Sequence, residues 1–365
     1  MRARFTAAST SGCRRPARPN PAASAAVPAA LARRDFLKFG VAGLGGLAAA
    51  PYVGAALAQA RTVNIVGAAA TTGAALQEIM RAEGFFKKFG LEPNIVSVAD
   101  GSKLMGAVIG GSSDIVVISG FSQVLAAIEK GAKIKLVAAT RFLVDDVIYS
   151  KRPDIRRLKD LEGRTFGTGS PGALLHHMTV ALMRKKGVDA AKVRFVNIGS
   201  STDVFRAVVA GTVDGGIALN DVYGQQEHYG VHALDDGLVY DELPEYTYQA
   251  SYSSDRAITG KRDLLVRTLA AYGTLYRFIC GPDSKEAFVR ARIAVTSNAA
   301  AAAEATTEWE FVQKHKPYAV DLVLSEQRVR YMQQINLELG LQKRMLPYEQ
   351  VADMSLAQDA LKLMG

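Results

Sequence analysis

The turn Gly169-Ser-Pro-Gly172 lies between a short β-type run, Arg164–Thr168, and a helix-patterned segment, Ala173–Lys186. Gly172 has no side chain to obstruct a ligand, and the first N–H groups of a helix lack intrahelical partners. Such a turn is suited to hold an anion. Comparable residues stand where other apolar runs end: Thr71 and Thr72, Ser119-Gly120-Phe121, Thr140-Arg141 and Asn220-Asp221. Ser119 and Ser170 offer hydroxyls, and the Gly172 and Ala173 amides offer a helix end. Arg141 offers a two-pronged donor for a carboxylate, sulfonate or phosphonate, and Phe121 an apolar wall. Each also has a purely structural reading. Ser170 reads as an N-cap, Arg141 as a surface partner of Asp145 or Asp146, and Asp221 as a ligand-amine contact or a helix cap.

Motifs for turnover are weaker. Gly167-x-Gly169-x-x-Gly172 follows a strand and precedes a helix, which matches the dinucleotide fingerprint. It makes an NAD(P)-dependent oxidoreductase the alternative reading. The next strand, however, ends Val196-Asn-Ile-Gly-Ser200, with no acid at its tip for a ribose. His176 and His177 are adjacent and so point to different helix faces. His228 and His232 are separated by Gly230 and have no suitably placed Glu. Cys280 sits in a core-like helical pattern. The expectation is binding without catalysis, with no metal and no cofactor.

The 365 residues, 49% hydrophobic and 22% charged, have room for two domains. The net charge of +9 does not describe the folded part. Taking the eight basic and one acidic residues of 1–60 from totals of 44 and 35 leaves 36 and 34, a net of +2. A nucleic-acid partner is therefore not expected. The excess charge belongs to a leader. Ala32-Arg-Arg-Asp-Phe-Leu-Lys38 resembles the twin-arginine export motif, an apolar Gly/Ala-rich stretch runs from Phe39 to Ala58, and Ala58-Gln59-Ala60 is a small-x-small cleavage pattern. A mature chain starting near Arg61 would hold one cysteine, so no intrachain disulfide forms.

The elements that must position these residues alternate. Strands are expected at Thr62–Gly67, Glu92–Val98, Asp114–Ser119 and Lys133–Thr140, with helices between them, and DIVVIS reads as a strand buried on both faces. The rhythm restarts with strands at Val144–Tyr149, Arg164–Thr168, Lys192–Ile198 and Asp214–Leu219 and helices at Ala173–Lys186 and Thr202–Ala210. This predicts βαβ units on parallel sheets. Val213-Asp214 after Gly211 echoes Asp114 after Gly110-Gly111. Tyr246–Ser253 reads as an extended return, and everything beyond Gly260 as mostly helical, beginning with Lys261–Cys280.

Gly84-Phe-Phe-Lys-Lys-Phe-Gly-Leu91 resembles the GFFKKxGL signature of the nitrate/sulfonate/taurine-type, or thiamine-pyrimidine-precursor-like, substrate-binding proteins of ABC transporters. Leu158-Lys-Asp-Leu-Glu-Gly-Arg-Thr165, Thr168-Gly-Ser-Pro-Gly172 and Gly211-Thr-Val-Asp214 resemble further segments of that family, in the same order. The resemblance implies the type II periplasmic-binding-protein fold: two α/β lobes around a hinged cleft, one of residues 61–145 plus 250–365, the other of 146–249. It implies a monomeric periplasmic protein that hands a small anionic or zwitterionic solute to an ABC permease and its ATPase. Leu219-Asn220-Asp221 stands where many relatives carry aromatic-Glu-Pro. A single mature cysteine does not match the cysteine-rich motif of the related thiamine-pyrimidine synthases.

Overall fold

The structure, a computed structural model, describes residues 62–365. The leader, its Ala32–Lys38 motif and the cleavage pattern lie outside them. The first sheet holds β1 (Thr62–Ala68), β2 (Glu92–Val98), β3 (Ile115–Ser119), β4 (Ile134–Arg141) and β10 (Gln249–Ser254), in the order β2-β1-β3-β10-β4. The second holds β5 (Asp146–Ser150), β6 (Thr165–Thr168), β7 (Arg194–Asn197), β8 (Gly215–Leu219) and β9 (His232–Leu238), in the order β7-β6-β8-β5-β9. The longer helices are α1 (Thr71–Ala82), α2 (Gly101–Gly110), α3 (Ser122–Glu129), α4 (Leu174–Lys185) and α5 (Ser201–Ala210). After β10 come α6 (Arg262–Ile279), α7 (Lys285–Thr296), α8 (Ala302–His315), α9 (Glu326–Glu338) and α10 (Ser355–Met364). No helix among the described residues is long and apolar enough to cross a membrane.

The sheets are mixed rather than parallel, which corrects the sequence expectation. β1 pairs in parallel with β2 and β3, and β6 with β7 and β8, as βαβ crossovers require. β10 arrives directly from the second sheet, inserts between β3 and β4, and runs antiparallel to both. β5 is antiparallel to β8 and β9. Strand β9 was not anticipated. Its sequence, HALDDGL, carries two acids and a glycine, which an edge position tolerates because one side has no neighbour.

Burial follows position. β3, β5, β8 and β10 are buried almost throughout, whereas edge strand β2 alternates. The echo between Asp114 and Asp214 is structural as well. Each lies just before a central strand and accepts an N–H from the start of the neighbouring strand: Asn64 at 2.9 Å and Thr165 at 2.8 Å. Beyond β10, α6 packs on α10, α7 packs on α1, and α8 lies against the Asn220–Gln225 turn that follows β8.

Helix α5 sits so close to the second sheet that Gly216 has no room for a side chain. A Cβ there would lie 2.6 Å from Val204 Cγ1 and 2.8 Å from Val208 Cγ2. Gly216→Ala is expected to cost about 1–3 kcal/mol through overpacking. Urea unfolding should then show a lower midpoint with an unchanged slope.

Candidate functional site

Between the sheets is a cavity of about 130 Å³, walled mainly by apolar side chains that include Ile65, Leu76, Leu104, Leu174 and Leu219. The starts of five helices reach it: Thr72 and Gly73 of α1, Gly101 of α2, Ser122 of α3, Leu174 of α4 and Ser201 of α5. Asp100 caps α2 by accepting from Ser102 N, and Ser200 caps α5 by accepting from Asp203 N. Ala70, Phe121 and Ala173 stand at the N-caps of α1, α3 and α4 and offer no capping side chain of their own; the Thr71 amide of α1 is taken by Thr202 Oγ1 instead. Three helix ends without a cap of their own therefore contribute unpaired donors and partial positive charge to one small space.

Of the residues that line the cavity, Arg141 alone is charged. It is buried rather than at the surface. Nη2 donates to Asp145 Oδ2 at 2.6 Å, and the guanidinium lies over the Tyr248 and Tyr318 rings at 5.2 and 4.7 Å. Burial opposes its charge, yet Asp145, Tyr318 and Tyr248 together outweigh burial and hold the pKa above its ordinary value. Nε–H has no partner. Gln249 is the residue directly across the strand pair from Arg141, lines the same cavity, and has an unpartnered Oε1. A buried donor and a buried acceptor are thus left open side by side, and each costs free energy until something binds it. Asp146 is fully buried as well. Burial, followed by the charge of Asp145, pushes its pKa well above the ordinary carboxylate range.

Of the residues expected to form the site, the structure brings Thr72, Ser119, Gly120, Arg141 and Ala173 to the cavity wall. The others lie behind it or join the two halves. Phe121 is fully buried in the core, and Thr140 is buried with its hydroxyl 3.3 Å from Ser251 Oγ. Ser170 does not cap α4. Its hydroxyl lies 3.2 Å from Ser102 Oγ and donates to Asp100 Oδ1 at 3.4 Å, across the divide between the sheets. Gly172 accepts from Ser122 Oγ and donates to His176 Nδ1. Thr71 donates its N–H to Thr202 Oγ1. Asn220 is buried and donates its N–H to Asp145 O. Sequence reasoning missed Ile118, Gln123, Ser200, Ser201, Tyr248 and Gln249, all of which line the cavity. Ser200 and Ser201 were within reach of the strand-to-helix rule that found the others. Gln249 depends on register and had no local signal.

Asp221 neither faces the cavity nor caps a helix; it binds Arg292. The Arg292 side chain is 2% exposed and reaches Asp221 Oδ2 at 2.8 Å, Glu308 Oε2 at 2.6 Å, Glu304 Oε2 at 3.6 Å and Thr72 Oγ1 at 3.3 Å. Burial opposes the Arg292 charge, and Glu308 and Asp221 restore it. One guanidinium on α7 thus ties the end of β8 in the second half to the start of α1 in the first. The halves also touch backbone to side chain: a Cβ at Gly120 would lie 2.5 Å from Leu174 Cβ.

The histidines have separate partners. His177 Nδ1 and Tyr246 Oη share a 2.6 Å hydrogen bond inside the protein, and His232 Nε2 is 2.8 Å from Ile155 O. Burial lowers the His177 pKa to about 4. No group of three or more His, Cys, Asp and Glu residues among the described residues could hold a metal ion.

This arrangement belongs to a known class of fold. Three solved structures are similar over most of their length. They are the ligand-binding component of an ABC-type import system from Staphylococcus aureus with zinc bound, at 14% identity and TM-score 0.63 over 82% of this chain and 99% of that one; the alkanesulfonate-binding protein SsuA from Xanthomonas axonopodis pv. citri bound to MOPS, at 18% and 0.64 over 82% and 97%; and the periplasmic nitrate-binding protein NrtA from Synechocystis PCC 6803, at 11% and 0.65 over 83% and 89%. The fold is that of the type II periplasmic binding proteins, two α/β halves built on five-stranded sheets. The NMT1/THI5-like family model matches residues 79–280, more than half of the chain, and the chain belongs to that family. No curated protein matches it.

Two measurements follow from the buried charges. Arg292→Met leaves Asp221 and Glu308 unpaired and is expected to cost roughly 3–5 kcal/mol, seen as a lower Tm at neutral pH. His177 acts through pH. Between its ordinary value of about 6.5 and its native value of about 4, the unfolded chain takes up a proton that the native protein does not. Its contribution to stability therefore falls as pH drops through that window, by at most about 1.4 kcal/mol per pH unit. Denaturant unfolding at a series of pH values should show a shallower acid-side loss for His177→Gln than for the wild type.

Proposed function

We propose that this chain is the solute-binding component of an ABC importer. It takes a small organic solute with an anionic or zwitterionic head, of the sulfonate, nitrate or taurine kind, and releases it unchanged. The observation that carries this reading is the meeting of uncapped helix ends from both halves at one largely apolar cavity. The head group is held by amides of α1, α3 and α4 and by Arg141 Nε–H, with Gln249 beside it. Because Asp145 already neutralises Arg141, a head with spread negative charge fits better than a cation. The aliphatic walls take the rest of the solute. The likeness to an alkanesulfonate-binding protein and a nitrate-binding protein supports the same class.

The two lobes are residues 61–145 with 250–365, and 146–249, and they hinge where the chain passes between the sheets at 142–145 and 245–248. The Arg292–Asp221 pair, Thr71 with Thr202, and Ser102 with Ser170 are contacts of the closed form. A ligand that touches both lobes favours that form, because only differential contacts shift such an equilibrium. The closed monomer is then read by a membrane permease and its ATPase. Export by the twin-arginine route, with cleavage after Ala60, places the protein in the periplasm.

The dinucleotide alternative is disfavoured by what covers its loop. Gln123 Nε2 donates to Pro171 O at 3.1 Å, Ser122 Oγ to Gly172 O at 3.3 Å, and Ser170 binds Ser102 and Asp100. First-half side chains thus lie against the Ser170–Gly172 loop that a dinucleotide fingerprint would leave open to its cofactor.

Calorimetric titration of the mature protein with alkanesulfonates, taurine, nitrate and short carboxylates is expected to give a stoichiometric complex, with the solute recovered intact. Gln249→Leu should weaken that complex about tenfold while changing Tm little. Consumption of a solute, or a purified protein that carries a nucleotide, would sink the reading.

A further inference from the structure

Ile118 adopts φ +40°, the left-handed region that a β-branched residue rarely enters. Three other described non-glycine residues share a positive φ. Ser297 and Lys316 end helices α7 and α8, and Leu322 is in an irregular segment. Ile118 differs in standing inside a strand, one residue from its end. The register explains how. Ser119 pairs with Ala250 and Val116 with Tyr252, so Val117 and Ile118 of β3 face the single residue Ser251 of β10. This is a β-bulge, which bends a strand and re-aims the residues after it.

The bulge has a direct effect on the cavity. A regular strand presents alternate residues to one face. Here Ile118, Ser119 and Gly120 are consecutive, and all three line the wall. Glycine is the residue that takes this backbone without strain, and in many bulges it stands at this place. The chain has isoleucine instead, in the one part of the strand that faces the cavity.

We propose that Ile118 is a specificity-determining residue: its side chain is the apolar gauge that limits the length of the solute's non-polar end. The assignment rests on the solute-binding reading of this cavity. Backbone strain at a ligand wall is retained where the side chain contributes to selection. Removing the branched side chain should lengthen the cavity at β3 and leave the helix ends that hold the head group untouched.

The test uses the mature protein with Ile118→Gly and Ile118→Ala, and a series of linear alkanesulfonates from methanesulfonate to octanesulfonate. Without any solute, Ile118→Gly should melt above Ile118→Ala, the reverse of their order in a regular strand, because alanine keeps the strain that glycine removes. With the series, both variants should bind the wild type's best solute at least about tenfold more weakly and move the optimum to longer chains. An alanine variant that melts above the glycine variant overturns the strain argument. A wild type that binds, together with variants that keep its chain-length optimum, overturns the role of Ile118 alone. A wild type that binds none of the series overturns this inference; the solute-binding reading falls only if taurine, nitrate and the short carboxylates fail to bind as well.

Discussion

Parallel strands constrain everything else in this protein. In a βαβ unit the helix begins where the strand ends, so strands that run the same way deliver their helix starts to the same edge of the sheet. Both sheets obey this at β1, β3, β6 and their neighbours, and the two edges face each other. The result is a small space surrounded by helix N-termini, with no lysine or free arginine in its wall. Peptide dipoles and amides provide the positive end of the site. Three of those helix ends lack a capping side chain of their own, and a bound solute would supply missing acceptors.

The two buried arginines stand at different depths, Arg141 in the cavity wall and Arg292 behind it. Arg141 and Arg292 are both nearly inaccessible, and each is held protonated by carboxylates against the cost of burial. Such pairs are poor sources of stability compared with apolar packing, yet removing one partner is costly. Their placement gives them a different use. Arg141 sits where the chain leaves the first sheet, and Arg292 joins β8 to α1. Thr72 touches both the cavity and Arg292, so the cavity wall and the joint between the halves share one helix end.

Small residues are placed by proximity rather than by turn chemistry alone. Gly120 admits Leu174 from the opposite half, and Gly216 admits Val204 and Val208 within its own half. Ile118 reverses this logic, because a bulky residue stands where a glycine would be relaxed. Packing is therefore tight at these glycines, between the halves at Gly120 and within one half at Gly216, while the strained bulge shapes the cavity wall.

Much of this was written locally in the chain. Apolar runs such as DIVVIS, the glycines after helices, and the small turns after strands located the α/β halves and the long C-terminal helices, because periodicity and turn chemistry depend on near neighbours. The Asp114 and Asp214 echo was visible for the same reason. Only the tertiary structure decided which strands pair. It put β10 antiparallel between β3 and β4, admitted HALDDGL as an edge strand, and set Gln249 opposite Arg141. It also buried Arg141, for which the sequence left a ligand contact and a surface ion pair both open, and made Asp221 the partner of a helix more than seventy positions away. Register, burial and ion pairing across such distances depend on how whole elements stack, and no window of neighbouring residues carries that information.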